Sequence, residues 1–276
     1  MQRAVTQPIA RPVPADDARF LAAKGPAKLA FRLARRGVEL AASGQRRFEA
    51  QAIAPGWKRA LWIHAEAPQL GDALMDLAPR SLLVEHGIAV DLLAPAAIAS
   101  LFRGDRAFGR VMACDDEIVA DRYDVVVTDS RSWKALAAKR RRAATLPWVS
   151  IKGDYLGYDY QRALFATRRI AELLGVTLDD AAERLHARQK LWLPANGDGP
   201  RGAQPTVALA LGGVRAERSY AHWPGVAEAL VAAGVGRLTL LGSANALSAR
   251  GEVMARLAGH GSVEVLDLVD ATDLHG

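Results

Sequence analysis

The chain has one cysteine, Cys114, among 276 residues. An intrachain disulfide is therefore excluded, and a reducing cytoplasm is the expected compartment. No apolar run approaches the length of a membrane span. The first residues, Met1 to Asp17, lack the apolar core of a signal peptide. Histidine, cysteine and carboxylates show no metal-ligand spacing, so no metal is expected. Aromatic residues make up only 6% of the chain. The basic run Lys139-Arg140-Arg141-Arg142 has none interleaved with it, which argues against a stacking platform for nucleic acid. A solvated helix end is the plainer reading of that run.

What is present is the composition of a globular protein. Half the residues are hydrophobic, and the length suffices for two domains with a substantial core. The net charge of +6 favours anionic partners.

The stretch from Lys58 to Leu93 organises the first part. A short apolar run, Ala60-Leu61-Trp62-Ile63, reads as a buried strand. Pro68 breaks regular structure. Gly71-Asp72 then opens a segment in which Leu74, Leu77, Leu82 and Leu83 fall near helical spacing, predicting one helix. Ile88 to Leu93 reads as a second strand. Such strand–loop–helix–strand units build parallel sheets whose loops face ligands. Asp72 lies where the loop becomes the helix. It fits either a helix N-cap or a general base at the mouth of a cleft.

Before this unit, Met1 to Pro55 reads as an appendage. From Asp16 to about Ala50 the pattern is helical. Lys24, Lys28, Arg32, Arg35, Arg36, Arg46 and Arg47 are interleaved there with Leu29, Phe31, Leu33, Val38 and Leu40. Two readings stand: a basic amphipathic helix in weak contact with an anionic membrane, dispensable for folding of the rest, or a solvated helix with one face on the domain.

After it, Tyr123 to Asp129 is a buried strand and Leu146 to Ile151 another. The Gly- and Tyr-rich run 153–160 suits either a wet cleft wall or an ordinary loop. Gln161 to Gly175 and Thr177 to Gln189 are helices. The glycines and proline between Asn196 and Gln204 mark a boundary. A second strand–Gly–helix series follows. Thr206 to Leu211 leads into Gly212-Gly213, and Arg237 to Leu241 into Gly242-Ser243. Val263 to Leu268 is a third strand. Glycine after a strand lets backbone donors approach a phosphate, or simply makes a turn. With Arg215, Arg218 and His222 between the two loops, an anion site is one reading.

Leu-Gly-Asp-Ala-Leu at 70–74 followed by Gly212-Gly213, His222-Trp223-Pro224 and Leu238-Thr239-Leu240-Leu241-Gly242-Ser243 resembles glycosyltransferase family 9, the lipopolysaccharide heptosyltransferases. The segment 266–274 resembles a further family segment. The likeness spans about Lys58 to Leu274. It implies an α/β chain of the GT-B class, two Rossmann-like domains facing across a cleft, with the C-terminal domain incomplete. The implied division is a basic helical N-terminal extension at 1–55, an acceptor domain at 56–160, a helical linker at 161–204 and a partial nucleotide-sugar domain at 205–276.

By the same resemblance, Asp72 is the catalytic base on an acceptor hydroxyl. His64, Gln69 and Gly71 lie toward the acceptor. Gly212, Gly213, Arg215, Arg218, His222, Gly242 and Ser243 hold the donor. The donor is a nucleotide-sugar such as ADP-heptose, with no cofactor and no metal. The acceptor is a lipopolysaccharide or other envelope glycan or glycolipid. The expected place is the cytoplasm, with the inner face of the membrane as the alternative that the basic N-terminal helix leaves open.

Three departures qualify this. The family lysine before Trp-Pro has no counterpart among Ser219-Tyr220-Ala221-His222. The lysine of the later segment is Ala271. The family's Asp-Ser/Thr-Gly-x-x-His donor motif would lie past Gly276. The alternative is a non-catalytic binding or scaffold protein of the same fold.

Overall fold

The computed structural model describes residues 25–65, 69–113, 116, 118–153, 161–192, 205–212 and 220–269. The chain divides into two units, Met1–Pro194 and Ala195–Gly276.

The first unit is built on five parallel strands: β1 (Arg59–Ile63), β2 (Ala89–Ala94), β3 (Val111–Ala113), β4 (Val125–Thr128) and β5 (Trp148–Ser150), in the order β3-β2-β1-β4-β5. Both sheet faces are covered, which is why the strands read as unbroken apolar runs. Side chains alternate between two cores. Ala60, Trp62, Val90, Leu92, Val125 and Val127 enter one, with the helices α2 (Leu70–Asp76), α3 (Arg80–Glu85), α4 (Ala96–Phe102) and α6 (Arg162–Leu174). Leu61, Ile63, Leu93, Val126 and Trp148 enter the other, against α1 (Pro26–Ala42) and α5 (Trp133–Arg142).

Several expectations shift. The single helix foreseen after Asp72 is two, α2 and α3, because Pro79 has no N–H to continue the ladder and disfavours a helical Ala78. The helix foreseen over Thr177–Gln189 shrinks to α7 (Asp180–His186). It starts where Asp179 accepts a bond from the Ala182 N–H at 2.7 Å. Lys139 is not solvated but fully buried. Its Nζ donates to Gln45 Oε1 at 2.5 Å and to the Ala144 carbonyl at 2.9 Å, and burial pushes its pKa down to about 8.

That lysine shows how the extension is held. Trp148 Nε1 donates to the Gln45 carbonyl at 2.9 Å, and Arg131 pairs with Glu49 at 2.6 Å. The Ala50 and Ile53 N–H groups reach the carbonyls of Trp148 and Leu173 at 2.8 and 2.7 Å. Residues 45–53 are therefore a strap across the first unit, with Leu40 and Ile53 buried. The segment after β5 is tied back as well. Buried Arg80 pairs with Asp105 at 2.6 Å and donates to the Lys190 carbonyl, and Asp105 also accepts the Trp192 N–H at 3.0 Å.

The second unit has a parallel sheet in the order β6-β7-β8, from Thr206–Ala210, Arg237–Gly242 and Glu264–Val269. Helices α8 (Trp223–Ala232) and α9 (Leu247–Leu257) cover one face, where Leu209, Leu238 and Leu240 meet Ala227, Val253 and Leu257. Pro224 sits in the first turn of α8, where its missing N–H costs nothing. On the other face the register aligns Ala208, Thr239 and Leu266, then Ala210, Leu241 and Leu268. Of these, Leu241, Leu266 and Leu268 are exposed by 37%, 44% and 36%. Among the described residues this face is apolar and only partly covered.

Candidate functional site at the carboxyl ends of β1, β4 and β5

Strands β1 and β4 are neighbours. The helices that follow β1 pack in the first core, while α5, which follows β4, packs in the second. The chain thus leaves the sheet in opposite directions at this pair, which makes a crevice at its carboxyl end. His64 is the first residue after β1 and Asp129 the first after β4, and Lys152 lies just past β5.

These side chains meet. His64 Nδ1 lies 2.7 Å from Asp129 Oδ2, both fully buried. At that distance the two form a close buried ion pair when His64 is protonated. Asp129 Oδ1 accepts from Trp62 Nε1 at 3.1 Å. Asp76, at the end of α2, takes Lys152 Nζ at 2.9 Å and Arg162 NH2 at 2.5 Å on Oδ2. Arg162 then reaches outward, its NH1 2.9 Å from Asp72 Oδ1. Exposure grows along the chain of contacts: 2% for the Asp76 side chain, 20% for Arg162 and 38% for Asp72.

The electrostatics follow from this packing. Burial works against a charged His64, but the carboxylate of Asp129 outweighs it and raises the imidazole pKa. Burial likewise opposes a charged Asp129, and His64, Lys152 and Trp62 together still hold it below the usual carboxylate range. Asp76 is raised, because burial and the charge of Asp129 exceed what Lys152 and Arg162 return. Arg162 is raised above an ordinary arginine by Asp76 and Asp72 despite its burial. With His64 protonated, three carboxylates (Asp72, Asp76, Asp129) face three cations (His64, Lys152, Arg162). His64, Asp76 and Asp129 offer ligand atoms within 4.8 Å of one another, a grouping invisible in their sequence spacing. Both oxygens of Asp76 already bond Arg162, and Oδ2 bonds Lys152 too. These cations repel an incoming metal ion and leave the cluster balanced without one.

Of the residues singled out from sequence, Asp72 is in the first turn of α2 but does not cap it. The cap position is Gln69, whose side chain makes no capping bond. A carboxylate in that turn is still favoured by the helix dipole. Gln69 and Gly71 are exposed, with open space where a Gly71 side chain would project. His64 is fully buried and out of reach of a ligand arriving from solvent.

In the second unit, Gly242 is required by packing: a Cβ there would lie 2.5 Å from Ala246 Cβ. A Cβ on Gly212 would lie 3.4 Å from the same atom. Ser243 Oγ donates to Asn245 Oδ1 at 2.5 Å. His222 precedes α8 and stacks edge-on with Tyr220, centroids 5.3 Å apart. Gly213, Arg215, Arg218 and Ala271, and the 154–160 part of the Tyr-rich run, lie outside the described residues.

Asp76, Asp129, Lys152 and Arg162 were not foreseen. The signal for Asp76 was its spacing of one helical turn from Asp72, and for Asp129 its place after a buried strand, matching His64 after β1.

No protein-family model and no curated protein sequence matches the chain. Solved structures do. E. coli heptosyltransferase WaaC with ADP superposes with a TM-score of 0.51 at 17% identity, over 75% of this chain and 74% of that one. E. coli ADP-heptose lps heptosyltransferase II gives 0.50 at 17%, over 78% and 74%. The glycosyl transferase family 9 protein from Veillonella parvula DSM 2008 gives 0.56 at 11%, over 80% and 72%. The chain has the α/β fold of these glycosyltransferases, with parallel sheets in both units. No helix among the described residues is long and apolar enough to cross a membrane.

Proposed function

We propose that the protein is a glycosyltransferase that moves a heptose-like sugar from a nucleotide-sugar to a lipopolysaccharide or other envelope glycan, with Asp72 as general base. The observation that carries this reading is the placement of Asp72. It stands half-exposed at the carboxyl end of β1, beside the crevice between β1 and β4, with one oxygen held by Arg162. The arginine fixes Oδ1, so Asp72 takes the acceptor's hydroxyl proton on Oδ2. The acceptor oxygen then attacks the anomeric carbon, the bond from that carbon to the phosphate oxygen breaks, and the nucleoside diphosphate leaves with its electron pair. Attack from the face opposite the leaving group inverts the anomeric centre. Gly71, with open space beside it, lets a sugar approach the carboxylate. The fold shared with an ADP-bound heptosyltransferase suggests an ADP-linked donor. Gly212, Gly213, Arg215, Arg218, His222, Gly242 and Ser243 are assigned to its diphosphate side, with no cofactor.

The test is transfer from ADP-linked and UDP-linked sugars to deacylated lipopolysaccharide cores, read by release of nucleoside diphosphate. Asp72→Asn keeps an oxygen for Arg162 but accepts no proton. A turnover loss of roughly 10²–10⁴-fold with donor binding unchanged is expected. Near-normal turnover by Asp72→Asn would leave the mechanism without a base and sink it. A wild-type chain that binds the donor but transfers nothing would mark the protein as a binding or scaffold member of the fold instead.

A further inference from the structure

Helix α1 presents an apolar stripe to solvent. Phe31 and Val38 are exposed by 68% and 67%, the highest values among the large hydrophobic side chains described. Seven residues apart, they lie on one side of the helix. Exposed Ala27, Ala34 and Ala42 continue the stripe, so it runs the helix's length. Buried Leu40 is on the opposite side, turned into the core shared with α5. The inner face of α1 is thus already satisfied, and the stripe is surplus to the fold.

Its surroundings are cationic. Exposed Lys28 and Arg35 border the stripe, and exposed Arg46 and Arg47 follow in the next turn. The one acid of the helix, Glu39, is paired with Arg35 at 2.7 Å. Helix α5, packed against α1, adds exposed Trp133, Lys134, Arg140 and Arg141. Its Trp133, Lys134 and Arg141 line an open cavity of about 320 Å³ with Ala65 and Pro95. An aromatic and aliphatic surface rimmed by Lys and Arg matches the boundary of an anionic bilayer, where apolar groups enter the acyl region and cations meet the headgroups. The cationic rim on both sides of the stripe is what favours a lipid surface over an uncharged partner.

We infer that α1, through Phe31 and Val38, lays the protein on the surface of an anionic membrane. The inference stands apart from the transferase reading.

The experiment is cosedimentation of the full chain with vesicles of phosphatidylcholine alone and of phosphatidylcholine with one-third phosphatidylglycerol. The wild type is expected to partition to the anionic vesicles and to be released by raised salt. The double variant Phe31→Glu/Val38→Glu is expected to bind at least about tenfold more weakly. Both positions are solvent-facing, so an unchanged thermal midpoint will show that the fold survives. Lys28→Glu, which leaves the stripe intact, should weaken binding to the anionic vesicles alone. Equal partition of wild type and double variant overturns the inference, as does binding that ignores the anionic lipid. Absence of binding by the full chain overturns it too. If sedimentation then shows a wild-type dimer made monomeric by the double variant, a second copy covers the stripe. If a chain starting at Lys24 binds where the full chain does not, the preceding residues cover it.

Discussion

The two sheets follow the same rule of strand, turn and covering helix, yet they bury different things. In the first unit, β1, β2 and β4 are buried at nearly every residue, because helices lie on both faces, and the strap 45–53 runs along the β5 edge. In the second unit, β8 alternates exposed and half-buried from end to end. A parallel sheet normally has both faces covered. Polarity is also distributed differently. The well-covered sheet tolerates a buried cluster of His64, Asp76 and Asp129 because Lys152, Arg162 and Trp62 answer each charge. Among the described residues of the second unit, every buried side chain is apolar. Coverage permits a buried polar cluster, which the half-covered sheet lacks among the described residues.

The largest expected effect comes from uncovering the first sheet. A chain starting at Gly56 loses Leu40 and Ile53 from the cores. It also strips Lys139 of the Gln45 acceptor and leaves Trp148 Nε1 without its carbonyl. Two apolar deletions of about 2–5 kcal/mol each, with unpaired buried donors at about 1–3 kcal/mol each, amount to about the whole of a typical domain's stability. The first unit should fail to give a cooperative thermal transition. This reverses the expectation that the extension is dispensable. A truncated chain that melts within a few degrees of the full one would show that the first sheet tolerates a bare face as the second does.

A smaller effect separates the two faces of the second sheet. Leu240→Ala removes a fully buried side chain on the covered face and should cost about 2–5 kcal/mol in urea unfolding. Leu266→Ala, on the neighbouring strand but the open face, should cost under about 0.5 kcal/mol. Similar losses from both would mean that the open face is covered in solution.

The strands were legible because each is a short apolar run between charges or turn residues, and a run buried on both faces needs no alternation to be seen. Gly175 announced the end of α6, with the positive φ of 71° that a glycine accepts freely. Pro79 was readable as a break and was overridden by the leucine spacing across it. In the site, Asp72 stood out through its position. The network behind it did not, since His64, Asp76, Asp129, Lys152 and Arg162 come from separate strand ends and helices that only the sheet order brings together. Nor did composition show that Lys139 is buried: a basic run looks solvated until Gln45, far away in sequence, arrives to accept from it.

The smallest effect is one of slope. His64 binds its proton more tightly in the folded chain than in the unfolded one, since Asp129 outweighs burial. That contribution is fully present below the unfolded value of 6.5 and is lost as pH rises through the higher folded value. Asp76, raised above 3.8, adds a loss of the same sign at lower pH. Asp129, lowered below 3.8, does the reverse, and its contribution goes only as pH falls through its folded value. Lys139 opposes them from about 8 upward, where the folded chain gives up a proton the unfolded one keeps. The window for His64 therefore opens at its unfolded value of 6.5 and closes where Lys139 begins to act, at about 8. Wild-type stability in urea should decline across it. Asp129→Asn still offers an oxygen to Trp62 but removes the charge facing His64, so burial should pull the imidazole below 6.5 and flatten the window. Among the described residues the second unit has no buried charged pair, so the decline should belong to the first unit's transition. A variant as steep as the wild type would mean that the imidazole is neutral in the fold, and that the buried cluster carries one cation fewer than its three carboxylates.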